Sequence, residues 1–266
     1  MEHPWQELGE GIFRRRYEFL DQNIGLVLGG EAVLVIDTRA NPSQAREIKD
    51  DIARLTSLPV GWVFNTHYHW DHTFGNQAFP EAEIWGHEMC AREMEARGGE
   101  MLEEMLTDWI PAQQHGPYRE IVPTPPSKLF TGTAAIDLGN RTVSLEYLGK
   151  GHTNSDAVLH LDDVTFAGDL VEEGGPPSVG DSFPLGWVNT LRALIPRCRS
   201  RIVPGHGDVV DTEYVVAASG DMAWVADLAR RGWEDGAIPD DLDLSGAPYP
   251  AEVTREALRR AYLELA

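Results

Sequence analysis

The chain has 266 residues, 42% of them hydrophobic and 24% charged, which are ordinary values for a folded globular protein with a sizeable core. Its charge is not ordinary: 22 basic against 43 acidic residues leave a net −21, which argues against a nucleic-acid partner or an anionic membrane surface. Residues 1–20 are polar throughout and carry no secretory apolar core, no run reaches the length of a membrane helix, and the two cysteines, Cys90 and Cys198, form no metal or redox motif, so a cytoplasmic setting is expected.

In chain order, Gly11 to Thr38 reads as strands, with Ile24–Leu28 and Ala32–Ile36 flanking a Gly29–Gly30 turn. Arg14, Arg15 and Arg16 fall in an alternating context that predicts charged, outward positions on an exposed strand. Asn41 and Ser43 are candidate caps for a helix over Ala45–Leu55, where Ile48, Ile52 and Leu55 share a face. Gly61–Asn65 is a short apolar strand. It runs into His67-Tyr68-His69-Trp70-Asp71-His72, which places three of the chain's nine histidines and a carboxylate within six positions. Neutral imidazole and carboxylate are ligands that Zn²⁺ accepts, and alternate residues at a strand end share a face. His67, His69 and Asp71 therefore converge, and a break in the strand lets His72 turn inward. This is expected to be half of a two-metal site.

Beyond it, Phe74–Phe79 is predicted as a short helix, Glu83–Gly86 as a strand and His87–Leu106 as a helix. Thr107–Ser127 holds five prolines among Trp109, His115 and Tyr118 and reads as a long functional loop. Strands are predicted at Ala135–Leu138, Thr142–Leu148, Ala157–Leu161, Val164–Ala167 and Arg201–Val203. Helices are predicted at Trp187–Ile195, Thr212–Arg231 and Pro250–Leu265, with a Gly/Pro-rich loop over Gly174–Gly186. In the tail, Tyr249, Leu258 and Tyr262 are expected to be exposed and to pack on the body or on a second subunit, which leaves a homodimer open. Three further strand ends carry metal-type residues beside glycines: His152 in Gly149-Lys-Gly-His-Thr, Asp169 in Phe-Ala-Gly-Asp, and His206 in Pro-Gly-His-Gly. Taken singly, each reads as a turn or a cap. Jointly, beside the histidine cluster, they read as the other half of the site.

On these motifs and their order, the chain resembles the metallo-β-lactamase superfamily. The resemblance implies one domain over residues 1–266 with a four-layer αβ/βα sandwich, two mixed sheets flanked by helices. Residues 107–127 and 174–186 would be active-site loops and 212–266 C-terminal helices. It implies that His67, His69 and His152 bind one metal, that Asp71, His72 and His206 bind the other, and that Asp169 bridges them. Asp37 matches a position that supports the histidine loop, and helix capping is its alternative role. The implied chemistry is a dinuclear hydrolase, with two Zn²⁺ (iron or manganese being the other options), whose bridging hydroxide cleaves an ester, thioester, lactone or amide-like bond of a small acyl substrate. Asp71 would also orient the nucleophile. Tyr68 would donate to the oxyanion or pack beneath the loop. Trp109, Tyr118, Phe183 and Trp187 are the candidate pocket walls, with Met101 and Met105 in the same roofing segments. The thiolate-using β-lactamases carry Cys where this chain has Asp169, so thioester and lactone hydrolases are the better match. A zinc β-lactamase, an iron-dependent oxidoreductase and a non-catalytic metal-binding protein remain the alternatives.

Overall fold

A computed structural model describes residues 4–266. Two sheets face each other. The first has seven strands in the order β1 (Gln6–Gly9), β2 (Ile12–Tyr17), β3 (Gln22–Leu28), β4 (Val33–Ile36), β5 (Val60–Phe64), β6 (Glu83–His87) and β7 (Lys128–Phe130). The second has five: β8 (Thr133–Asp137), β9 (Thr142–Tyr147), β10 (Ala157–Leu161), β11 (Val164–Gly168) and β12 (Arg201–Pro204), ordered β12-β11-β10-β9-β8. β4 to β7 run parallel to one another, as do β11 and β12, while the remaining pairings are antiparallel.

Alternation along the strands explains the layers. In β4, Leu34 and Ile36 point into the inter-sheet core with Phe64, Leu145, Leu159 and Phe166. Val33 and Val35 point the other way, onto Ile48 and Ile52 of α1 (Pro42–Leu55). A strand buried on both faces must be apolar at every position, which is why β4 reads as a continuous run. On the second sheet, Val158, Ala167 and Ile202 face outward under α4 (Pro184–Leu194), α5 (Thr212–Glu234) and α6 (Ala251–Leu265). The result is a four-layer αβ/βα sandwich. No helix among the described residues is long and apolar enough to cross a membrane.

Several expectations are corrected. α1 begins earlier than its apolar face, because Asn41 caps it by accepting from the Gln44 N–H at 3.0 Å with Pro42 at its first position. The helix expected at Phe74–Phe79 instead starts inside the histidine cluster, as the single turn α2 (Trp70–Thr73), with a 3₁₀ turn at Asn76–Ala78. α3 covers Glu88–Glu104, and Met105–Trp109 continues it as a π-helical turn. β1 and β7 leave no mark in the sequence, since such short edge strands are too brief to show a period. Arg14 is buried rather than outward: its guanidinium donates to Asn23 Oδ1 and the Gly207 carbonyl, both at 3.1 Å. Arg15 pairs with Asp51, and Arg16 pairs with Asp21 and Asp208. Leu258 is fully buried in the α4–α6 core, with Tyr249 and Tyr262 packed against it, so these tail residues cover the body of the same chain.

Candidate metal centre

Parallel pairing sets the location of the site. The C-terminal ends of β4 and β5 meet those of β11 and β12 at one edge of the sandwich, and the residues just past each strand end project there. The two sheets are tied at this edge by the Ala157 N–H donating to the Thr66 carbonyl at 2.8 Å and the Asn23 N–H donating to the Gly205 carbonyl at 2.8 Å. Close approach requires glycine here. A Cβ on Gly205 would overlap Asp169 Oδ1, and Gly168 turns the chain at φ +53° against the Thr66 side chain.

The ligand-type atoms fall into two groups, His67, His69, His152 and Asp169 in one, and Asp71, His72 and His206 in the other. In the first, His152 Nε2 lies 2.8 Å from His69 Nδ1 and 3.4 Å from Asp169 Oδ2. In the second, His72 Nε2 and His206 Nε2 are each 3.3 Å from Asp71 Oδ2. The Asp169 carboxylate stands between the groups, with Oδ1 3.3 Å from His72 Nε2 and Oδ2 3.3 Å from His206 Nε2. Ligands about 2.0–2.1 Å from a tetrahedral zinc lie roughly 3.3–3.4 Å from one another, so the separations around Asp71 and Asp169 suit such an ion, while His69 and His152 stand closer than that. His67 Nε2 and Asp169 Oδ1 are buried without a hydrogen-bond partner, the condition expected of atoms reserved for a cation. The donor set therefore fits divalent metal.

The backs of the imidazoles are held. Asp37 Oδ2 accepts from His72 Nδ1 at 2.8 Å and from Thr66 Oγ1 at 2.8 Å, while Oδ1 accepts from the Thr66 N–H at 2.8 Å. His206 Nδ1 donates to the Leu20 carbonyl at 2.7 Å and His152 Nδ1 to the Ser178 carbonyl at 3.0 Å. Such partners orient the ring and keep its other nitrogen free as a ligand. Asp37 thus supports the loop directly and does not cap α1, the role that Asn41 takes.

Asp181 carries no signal in the sequence. Its carboxylate lies 3.1 Å from His69 Nε2 and accepts from the Tyr68 hydroxyl. Its own backbone carbonyl accepts from Arg260 of α6 at 2.9 Å. Nothing in the Gly/Pro-rich loop marks this residue, because the partnership spans 112 positions and depends on how the loop folds back. The same contact commits the Tyr68 hydroxyl to Asp181, which favours packing beneath the loop over the oxyanion role, the two roles expected for it.

Burial pushes His67 well below the usual imidazole range and His152 down to about 4, so both are neutral. Burial also opposes charge on His69, but the Asp181 carboxylate outweighs it and raises the group to about 9. Burial is likewise outweighed at His72 and His206, where Asp169 and Asp71 raise both well above the ordinary value. Below these raised values the second cluster carries protons that a metal must displace. Zinc added at pH 7 to metal-depleted protein is therefore expected to release protons, and its affinity is expected to fall as pH falls. Calorimetric titration in two buffers of different ionisation enthalpy measures this, and an equal heat in both would mean that these imidazoles are already neutral at pH 7.

A cleft of about 590 Å³ opens over the two groups, with Tyr68, Trp70, Met101 and Trp109 on one wall and Gly174, Ser178 and Gly180 on the other. Trp109 is 59% exposed and tilts against Trp70 at 6.0 Å between ring centroids. Of Trp109, Tyr118, Phe183 and Trp187, Trp109 alone lines this cleft, and Met101 joins it there. Tyr118 is packed under α3 with Met94, Met101 and Met105, and the Trp187 indole donates to the Leu170 carbonyl beneath the site. Phe183 precedes α4, with Lys150 and Arg260 over its ring. Each is a large apolar residue that found core or cation contacts elsewhere.

A sequence profile of the metallo-beta-lactamase superfamily matches residues 17–206. The chain is 28% identical over 238 residues to an acyl-coenzyme A thioesterase, MBLAC2, of Gallus gallus, a match covering 77% of this chain and 81% of that protein. It is 26% identical over 196 residues to a metallo-beta-lactamase type 2 of Bacillus sp. (strain 170), covering 70% of this chain and 67% of that one. Among solved structures, a metallo-beta-lactamase from Pontibacter korlensis superposes with a TM-score of 0.68 at 17% identity, over 84% of this chain and 99% of that one. With a profile match that runs from the second strand to the last histidine of the cluster, the chain belongs to the metallo-beta-lactamase superfamily.

Proposed function

We propose that the chain is a metal-dependent hydrolase that cleaves an ester, thioester, lactone or amide-like bond of a small acyl substrate at a paired zinc centre. The observation that carries this reading is the Asp169 carboxylate standing between two groups of ligand-type side chains. Two divalent ions held there supply a water acidified to near neutral pH and a Lewis acid for the scissile carbonyl. The chain does the rest. His67, His69 and His152 would hold one ion, and Asp71, His72 and His206 the other. The Asp71 backbone is anchored by Gln22, whose amide donates to its carbonyl at 2.5 Å, and the Asp71 carboxylate would both ligate and orient the attacking water. Trp70, Trp109 and Met101 offer an apolar wall for the acyl group.

Elemental analysis together with an ester, thioester and lactone panel tests the reading. Zinc and turnover of at least one class are expected. Iron with oxygen uptake would replace the hydrolase by an oxidoreductase, and bound metal with no turnover would leave a metal-binding protein. A zinc β-lactamase is the second reading, favoured by the likeness to the Bacillus enzyme. Hydrolysis of a chromogenic cephalosporin at ordinary enzyme rates would promote it.

A further inference from the structure

The cleft over the ligand groups is lined by acids out of proportion to its bases. Asp21, Glu104 and Glu173 join the lining without belonging to the ligand set or to the His69 support. Among the described residues, Arg97 is the one Lys or Arg of the lining. It is itself flanked by Glu100 at 3.4 Å and Glu93 at 3.9 Å, so little of its charge is left for a ligand. Glu104 is exposed and Glu173 half-buried, and neither has a cationic partner among the described residues, whereas Asp21 is paired with Arg16. An approaching substrate therefore meets carboxylates at the mouth, beside the exposed Trp109 ring, on a chain whose net charge is −21. Field lines focus in a cleft, so a mouth of one sign changes encounter rates by about 10–10³-fold. Any positive charge brought by metal lies at the buried floor, beneath this rim.

We infer that the acidic mouth, with Glu104 and Glu173 at its rim, selects uncharged acyl substrates with an aliphatic or aromatic face and discriminates against polyanionic thioesters such as those of coenzyme A. This rests on the hydrolase reading of the site. It separates the chain from the acyl-coenzyme A thioesterase it resembles, through side chains that lie outside the metal-ligand set.

The test compares one acyl group carried on N-acetylcysteamine, an uncharged thiol, and on coenzyme A, using the zinc-loaded chain. The uncharged thioester is expected to show a kcat/KM at least about tenfold higher at low salt. The gap is expected to narrow as ionic strength rises, because screening removes repulsion. In a Glu104→Lys, Glu173→Lys double variant the ratio of coenzyme A to uncharged rates is expected to rise on the order of tenfold. Calorimetric binding of free coenzyme A is expected to be undetectable in the natural protein and gained in the variant. A coenzyme A thioester turned over as well as its uncharged counterpart, or micromolar binding of coenzyme A to the natural protein, overturns the inference and leaves the hydrolase reading standing. Turnover of neither thioester counts against thioester hydrolysis itself, and the binding measurement then decides the charge selection alone.

Discussion

Replacing Asp169 with Asn is expected to strip at least one metal ion from each chain and to lower kcat/KM by about 10³-fold. Asn keeps the volume and shape of Asp, so β11 and the Gly205 turn that brushes this side chain have no reason to move. The charge and one ligand oxygen are lost. The two carboxylate oxygens lie 3.3–3.4 Å from His72, His152 and His206, at the point where both ligand groups meet. An amide nitrogen turned toward either group presents protons where a cation is wanted. Losing a Lewis-acid contribution of roughly 4 kcal/mol corresponds to about three decades in rate. Elemental analysis and steady-state kinetics measure the two effects, with circular dichroism to verify the fold. A variant with full metal content and natural turnover would remove Asp169 from the chemistry.

Asp37→Ala is expected to damage both stability and metal binding. Asp37 is 2% exposed and sits at φ +63°, a left-handed conformation that Asp tolerates better than Ala. Its carboxylate answers the Thr66 N–H and the His72 imidazole, which straddle the histidine cluster. Leaving these two buried donors unpaired costs roughly 2–6 kcal/mol together, at about 1–3 kcal/mol each. Loss of an acceptor behind a ligand histidine typically weakens metal binding about 10–100-fold. Asp37→Asn is the sharper test. Its amide oxygen can still take the Thr66 N–H, but its NH₂ then faces His72 Nδ1 and shifts the ring proton to Nε2, the atom that points at Asp71 and Asp169. Thermal unfolding with and without zinc, and competition against a chelating dye, separate the two losses. Zinc affinity unchanged in the Asn variant would reduce Asp37 to a structural residue.

Both predictions turn on residues legible in the chain itself. Asp37 and Asp169 stand where apolar runs give out, and His67–His72 comes after a third such run. A strand end dictates locally where the next side chains point, so spacing there carries geometry. Leu34 and Ile36 against Val33 and Val35 show the same rule at work in the core: alternation sorts residues to faces, and a strand apolar at every position announces burial on both. The same local reading fails for Arg14, because its burial depends on Gly207 and Asp208, nearly two hundred positions away.

The wall of the cleft belongs to that second kind of information. Trp109, Tyr118, Phe183 and Trp187 look alike in the sequence as large apolar residues in or beside irregular loops. The fold places Trp109 at the mouth, Tyr118 under α3, Phe183 beneath two cations and Trp187 against Leu170. Asp181 is one unremarkable acid of the Gly/Pro-rich loop until the return of that loop sets it behind His69. The sequence by itself determined most of the strand and helix order and the metal-type donor residues, because periodicity and ligand chemistry are properties of residues and their nearest neighbours, while the sandwich class came with the family resemblance that those motifs carry. Only the tertiary structure decided what holds the far sides of these donors and which charges line the mouth of the cleft. Each of those depends on segments remote in the chain being brought within a few ångströms.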